Sequence, residues 1–259
     1  MRSILFSLGN FPIFSFGACV ALGLLFAHTV IARVARRDCV GNPDFASNIV
    51  VLLISAGFVG ARAAYVMEHW TSHYRQSPAD ILDLRAGGLM FFGGFITSLI
   101  VALIYAKISK IKPLALIDVL APALPLAHAF GRLGCFMNGC CYGRVTDAWY
   151  GVLFPPGSPP HIEQGPFPVI PTQLMESGLN LLIFVILILL AYRVKTRPGV
   201  RAGLYMMLYA VARYCVEGLR ADERMQIGIF SISQFISLGV FTAGAILIIQ
   251  ATSRKPLQD

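Results

Sequence analysis

Apolar stretches long enough to cross a lipid bilayer follow one another along almost the whole of this chain. About 20 apolar residues in an α-helix span the hydrocarbon core, and a helix satisfies all of its own backbone hydrogen bonds there. The sequence therefore predicts an all-α, polytopic integral membrane protein with about seven transmembrane helices. The predicted spans lie near residues 12–33, 47–68, 87–107, 114–136, 172–193, 202–219 and 231–251.

Composition excludes an ordinary water-soluble domain. Charged residues make up 13% of the chain and hydrophobic residues 56%, whereas soluble domains carry roughly 25% charged residues. The formal net charge is +8, but the basic residues form short clusters between apolar stretches, so no nucleic-acid partner is predicted. We expect one membrane domain over residues 1–259, with kinks at Pro122 and Pro125 in the fourth span.

The basic clusters predict the orientation of the chain. They follow the first, third, fifth and seventh predicted spans, and cytoplasmic loops carry the excess of Lys and Arg. We therefore expect the N-terminus outside and the C-terminus in the cytoplasm. The longest loop, residues 143–171, is rich in Pro and Gly and is predicted to be an outward-facing arm. The clusters are Arg33, Arg36 and Arg37; Lys107, Lys110 and Lys112; Arg193, Lys195, Arg197 and Arg201; and Arg254 with Lys255.

Ionisable residues inside the predicted spans are candidates for a functional site, because placing them in a membrane is costly. Tyr209, Arg213 and Glu217 recur every four residues and share one face of the sixth span. The predicted topology places all the candidates at outward helix ends, where two or three guanidinium groups suit the phosphate of a phospholipid headgroup. The candidates are Arg62, His128, Arg132, Asn138, Gln173, Glu176, Tyr209, Arg213, Glu217 and Arg220.

Structural roles compete with these functional ones. Arg213, Glu217 and Arg220 could form an ion-pair network that ties helices together, because buried charges are normally paired. For Arg62, the sequence favours neither a structural role nor a functional one.

The histidine and the cysteines also have plainer explanations. A single histidine such as His128 is more often hydrogen-bonded packing than a catalytic base. The cysteines near the end of the fourth span lack a second ligand pair at zinc spacing, so we expect them to be small hydrophobes and predict no metal site. These cysteines are Cys135, Cys140 and Cys141.

One segment resembles the signature of the bacterial phosphatidylglycerol:prolipoprotein diacylglyceryl transferases. It consists of Gly131-Arg132-Leu133-Gly134, Phe136, Asn138-Gly139 and Gly143. Further positions resemble the family in the same order and extend the match over nearly the whole chain. They are Phe16-Gly17, Gly60 to Arg62, Tyr65, the glycine pairs flanking Phe92, Asp118, Pro122, Pro171 to Glu176, Tyr209, Arg213, Glu217, Arg220, Gln234 and Ser237.

The resemblance implies an enzyme of the bacterial cytoplasmic membrane, with its active site toward the outer leaflet and without a cofactor. It implies transfer of the diacylglyceryl group of phosphatidylglycerol to the lipobox cysteine thiol of a preprolipoprotein signal peptide, releasing glycerol phosphate. Arg132 and Arg213 would bind the phosphodiester and stabilise the departing phosphate, with Tyr209 in the same pocket. The substrate-binding positions implied are Arg62, Asn138, Gly143, Gln173, Glu176, Glu217 and Arg220.

Four positions depart from the family pattern and remove a proposed base and several polar contacts. His128, one helical turn before Arg132, is our hypothesis for a replacement base. Two alternative functions stay open: a divergent member that uses another lipid donor or acceptor, and a membrane protein that binds a lipid or an anion without catalysis. The departures are Phe92 in place of His, Phe16 in place of Tyr, Cys135 in place of Asn and Cys140 in place of Glu.

Overall fold

The structure is a computed structural model that describes residues 4–8, 11–83, 87–221, 226–227 and 230–253. Helices dominate the described part of the chain, and two short antiparallel hairpins accompany them. The strands are β1 (Ile4–Leu8), β2 (Phe11–Phe14), β3 (Gln226–Ile227) and β4 (Phe230–Ser231). The helices are α1 (Ser15–Asp38), α2 (Phe45–Glu68), α3 (Phe91–Ile108), α4 (Pro113–Leu120), α5 (Ala123–Asn138), α6 (Pro159–Gln164), α7 (Thr172–Arg193), α8 (Val200–Glu217) and α9 (Ile232–Ser253).

The helices confirm the predicted class of an all-α, polytopic membrane protein. Within the described residues, 6 segments are long and apolar enough to cross a membrane, and each coincides with a predicted span. The remaining predicted span, 202–219, corresponds to α8, which is helical over 18 residues but carries Arg201, Arg213 and Glu217. The count of about seven spans and the orientation of the termini stay predictions.

Two helix boundaries show how local sequence sets the ends of the spans. The fourth predicted span is broken between α4 and α5 at Pro122, whereas Pro125 lies in the first turn of α5 without ending it. A proline is tolerated there because the first N–H groups of a helix have no partner within it. α1 begins at Ser15 rather than near residue 12, because Phe11–Phe14 pairs with β1.

The chain divides into two compact units, one of residues 35–116 and the other of residues 1–34 and 117–259. In the unit of residues 35–116, α2 and α3 pack through small residues. A Cβ added at Gly60 would lie 2.1 Å from Oγ1 of Thr97 and 2.7 Å from the carbonyl oxygen of Gly93. Small residues let two helix backbones approach this closely.

Replacing Gly60 by alanine is expected to lower the free energy of unfolding by about 1–3 kcal/mol, because the new methyl group overlaps a closely packed helix. Gly239→Ala is the matched control, since a Cβ there, also in a helix, would meet nothing within 4 Å. Thermal unfolding of both variants in detergent would measure the difference. Equal stability of the two variants would contradict the close approach of α2 and α3.

Arg62 on α2 organises a loop in the same unit. Its side chain is 7% exposed, and all of its N–H groups face carbonyl oxygens between 2.6 and 3.1 Å away. A guanidinium has five N–H donors, so these bonds leave none over for a substrate. The contacts give Arg62 a structural role and lend no support to its predicted substrate-binding role. The acceptors are the carbonyls of Asp80, Ile81, Asp83, Gly87 and Gly88.

The other unit contains α5, α7, α8 and α9. Near the start of α8, a Cβ at Gly203 would lie 2.7 Å from the carbonyl oxygen of Gly244, which is in the second half of α9. Arg197, before α8, donates to the carbonyl oxygen of Thr252 at 2.6 Å. α8 and α9 therefore run antiparallel, and the end of α8 meets the beginning of α9.

Residues 143–171, predicted as an arm, form a small core together with Tyr142, the residue that precedes them. The backbones of Val152 and Val169 exchange two hydrogen bonds of 3.0 Å, and Tyr142 and Phe154 are buried beside Val169. The hydroxyl of Tyr142 donates to the carboxylate of Glu163 on α6. The arm is thus folded on itself, while its outward position stays a prediction.

Candidate active site

Glu176, in the second turn of α7, lies at the centre of a cluster of charged side chains. Its side chain is 2% exposed, with Oε1 3.0 Å from Nη2 of Arg132 on α5 and Oε2 3.8 Å from Nη1 of Arg213 on α8. A buried carboxylate is costly unless opposite charges surround it. The two guanidinium groups therefore stabilise the Glu176 carboxylate, which in turn holds them on either side of itself.

Glu217, one turn after Arg213 on α8, supplies the second carboxylate of the cluster. Its Oε2 lies 2.5 Å from Nη2 of Arg213, and Arg220 is near enough to Arg213 for their charges to interact. In the part of the chain that the structure describes, the cluster thus contains the guanidinium groups of Arg132, Arg213 and Arg220 and the carboxylates of Glu176 and Glu217.

The arginines also leave hydrogen-bonding capacity for a ligand. Among the residues that the structure describes, Nη1 of Arg213 is buried and donates no hydrogen bond. A buried donor without an acceptor is costly. The side chains of Arg132 and Arg213 are 16% and 12% exposed, while Nη1 of Arg213 is itself enclosed.

His128, one turn before Arg132, is held by that arginine. Its Nε2 accepts a hydrogen bond of 3.1 Å from Nε of Arg132, and a nitrogen that accepts carries no proton. The approach of the same nitrogen to Oε1 of Glu176, at 3.6 Å, is therefore not an ion pair. Because the lone pair of Nε2 is engaged, the geometry lends no support to His128 as the base, a role that stays a prediction. Tyr209 lies beside it, with ring centroids 5.5 Å apart.

The beginning of α9 contributes a contact that sequence reasoning missed. The backbone N–H of Ser231 donates to Oε1 of Gln234 at 3.0 Å, and that of Gln234 donates to Oγ of Ser231 at 3.2 Å. This reciprocal pair is a capping box, for which the pattern Ser-x-x-Gln is a sequence signal. The Ser231 hydroxyl also donates to Oε1 of Glu217 at 3.2 Å, so the helix cap holds a carboxylate of the site.

Removing this hydroxyl is expected to affect both α9 and the site. Ser231→Ala should lower the free energy of unfolding by about 1 kcal/mol, the usual value of an N-cap, and should leave Glu217 without this donor. Ser231→Thr keeps the oxygen and should restore most of the lost stability. Denaturant unfolding of the three proteins would test this, and equal loss in both variants would show that the hydroxyl is not the cause.

Three other predicted site residues surround the turn after α5 instead of joining the charged cluster. Asn138 is exposed at the end of α5, and Gln173 donates to the carbonyl oxygen of Cys140 at 2.8 Å. A Cβ at Gly143 would lie 2.7 Å from both the Cβ of Ile170 and the carbonyl oxygen of Leu219. Arg220, which is 6% exposed, links the two groups, since it lies near Arg213 and near Cys141.

Phe16 and Phe92, two of the departures from the family pattern, lie in different units of the chain. Phe16 packs on α5 at Gly134. A Cβ added at this glycine would lie only 2.9 Å from the ring of Phe16. Phe92 belongs to the unit of residues 35–116 with Arg62 and is 60% exposed. The other two departures, Cys135 and Cys140, lie together with Cys141, and their sulfur atoms are close enough to hold a metal ion.

Fold and site together define a class of protein, a polytopic helical membrane protein with a buried arginine–carboxylate cluster at the adjoining ends of its helices. A family model described as "Prolipoprotein diacylglyceryl transferase" matches residues 3–250. The chain belongs to this family.

Several relatives agree along nearly their whole length. The chain is 32% identical over 250 residues to the phosphatidylglycerol–prolipoprotein diacylglyceryl transferase of Finegoldia magna, covering 96% of each chain. It is 33% identical over 238 residues to the protein of that name from Clostridioides difficile, covering 92% of this chain and 90% of the relative. The corresponding Geobacter sulfurreducens protein is 31% identical over 258 residues, with 97% and 96% covered.

Proposed function

We propose that this protein transfers the diacylglyceryl group of phosphatidylglycerol to the lipobox cysteine of a preprolipoprotein signal peptide and releases glycerol phosphate. Its family and the names of its relatives support this activity. The observation that carries the proposal is the pair of guanidinium groups, Arg132 and Arg213, held on either side of the buried Glu176. Such a pair suits a phosphodiester, which arginine binds through parallel hydrogen bonds.

The reaction is a displacement at carbon. The cysteine sulfur bonds to the phosphate-bearing carbon of the diacylglyceryl group. The bond from this carbon to the phosphate oxygen breaks, and the oxygen keeps the electrons. A thiol and a diester monoanion thus give a thioether, a monoester dianion and a proton. The thiolate is the attacking form of the cysteine.

The charged cluster supplies electrostatic stabilisation for this step. Arg132 and Arg213 bind the phosphate oxygens, on which negative charge develops as the bond breaks, and preorganised donors act most strongly at such positions. Glu176 and Glu217 hold the two guanidinium groups in place, and Tyr209 borders the pocket. The predicted substrate contacts of Asn138, Gly143, Gln173 and Arg220 remain part of the proposal only as positioning roles.

We place the site in the outer half of the bacterial cytoplasmic membrane. The basic segment 193–201 lies at the end of α7 and the beginning of α8, opposite to the charged cluster. Cytoplasmic loops carry such basic residues, which supports a cytoplasmic position for this segment and an outward position for the cluster and the arm. An outward site faces signal peptides as they emerge from the membrane.

The test is transfer of a labelled diacylglyceryl group from phosphatidylglycerol to a synthetic lipobox peptide by the purified protein. Mass spectrometry should show the added diacylglyceryl group on the peptide cysteine, and a peptide with serine at this position should stay unmodified. Phosphatidylethanolamine replaces phosphatidylglycerol as the control donor. No transfer from phosphatidylglycerol by folded protein would overturn the proposal.

The same assay separates the alternatives. Transfer only from the control donor would identify a divergent member, which the replacements at Phe92 and Cys140 leave open. Binding of phosphatidylglycerol without any transfer would identify a lipid-binding membrane protein.

A further inference from the structure

Three thiols meet at the end of α5, one from its last turn and two from the residues that follow. The Sγ atoms of Cys135, Cys140 and Cys141 all lie within 4.8 Å of one another, and all three residues are free cysteines with half-buried side chains. Their sequence spacing matches no zinc motif, so the sequence alone does not indicate a metal site here. The structure brings them together because the chain reverses at this point.

Two residues with left-handed backbone produce the reversal. Gly139 has a φ of 73° and Cys141 a φ of 64°, and the latter is unusual for a residue with a side chain. Such a conformation persists only where the surroundings fix it. Here Gln173 donates to the carbonyl oxygen of Cys140 at 2.8 Å and Thr172 to that of Cys141 at 2.7 Å, so the thiols are held in place before any ligand binds.

The guanidinium of Arg220 lies near the thiol of Cys141. The thiolate is the form of cysteine that binds metals, and a neighbouring positive charge favours it. The cluster therefore combines preorganised geometry with an arginine that can balance thiolate charge.

We propose that Cys135, Cys140 and Cys141 bind one soft, thiophilic metal ion, Cu(I), as a three-coordinate thiolate site. Thiolates select soft ions, chiefly Cu(I) and zinc, and structural zinc takes four protein ligands. Among the residues that the structure describes, no histidine or carboxylate joins the three sulfur atoms in this group. Three sulfur atoms without a fourth protein ligand in the described part of the chain favour Cu(I) over zinc, and binding displaces the thiol protons.

The experiment uses reduced, purified full-length protein in detergent without oxygen, titrated with Cu(I) against a coloured Cu(I) chelator. One Cu(I) should bind per chain. Cys141→Ser should weaken binding by at least about 100-fold, because even outer partners of metal ligands contribute 10–100-fold. Cys39→Ser and Cys215→Ser are matched controls at exposed cysteines outside the cluster, and they should bind Cu(I) as the unchanged protein does.

A second measurement needs no variant. Bound Cu(I) should protect Cys135, Cys140 and Cys141 from alkylation, read by mass spectrometry of peptides, while Cys39 and Cys215 still react. Absence of Cu(I) binding, binding that survives Cys141→Ser, tighter binding of Zn(II), or isolation of the cluster as a disulfide would each overturn the proposal. None of these readouts depends on transfer of a diacylglyceryl group, so the proposed activity and the metal site fail independently.

Discussion

Arg132→Ala should reduce diacylglyceryl transfer by at least about 100-fold, with the protein still folded. Removing one preorganised donor to a developing oxyanion typically lowers the rate about 10²–10³-fold, and Nη2 of Arg132 lies 3.0 Å from the carboxylate at the centre of the site. Initial rates of transfer to the lipobox peptide, at saturating phosphatidylglycerol, would measure the loss.

Two variants make this result specific. Arg132→Lys keeps the charge but cannot form parallel bonds to a phosphate, so its rate should fall between those of the alanine variant and the unchanged protein. Arg193→Ala removes an exposed arginine at the far end of α7 and should change the rate less than twofold. A normal rate in Arg132→Ala would show that this guanidinium does not take part in the reaction.

Glu176→Leu is expected to destabilise the protein by about 3–5 kcal/mol. Removing one partner of a buried ion pair leaves uncompensated charge, and here both Arg132 and Arg213 lose their shared carboxylate. Chemical unfolding in detergent would measure the change. Asp147→Asn, which neutralises an exposed carboxylate in the arm, should have almost no effect.

A double variant separates charge from packing at this position. Replacing a complete buried ion pair by apolar residues is often neutral, whereas breaking it is not. Arg132→Leu combined with Glu176→Leu should therefore recover much of the stability lost in Glu176→Leu, giving a large coupling free energy. Simple addition of the two single effects would show that Arg132 and Glu176 do not interact.

Much of the fold was predictable because the bilayer imposes length and apolarity on each span. The break between α4 and α5 follows from Pro122, whose ring cannot continue a helix interior. The pairing of Arg213 with Glu217 follows from their four-residue spacing. These features depend on residues that are near one another in the sequence.

The features that sequence reasoning missed depend on distant residues or on irregular backbone. Ser231 reaches Glu217 only because α8 and α9 run antiparallel. The thiol cluster exists because Cys141 adopts a left-handed backbone conformation. Cysteine is not a residue type from which this conformation could be predicted. The role of Arg62 could not be decided from the sequence because its partners are backbone carbonyls. Every residue has such a group, so the sequence does not show which ones are its partners.

The presence of two carboxylates among the arginines of the cluster has a consequence for turnover. The donor lipid carries one negative charge at its phosphate, and the released glycerol phosphate carries close to two. Electrostatic attraction to the cluster grows in proportion to the charge of the ligand, but the cost of withdrawing an ion from water grows with the square of that charge. Because Glu176 and Glu217 already pair with the arginines that meet the phosphate, their repulsion of a second negative charge adds to that cost, and we expect the dianionic product to leave for the aqueous phase.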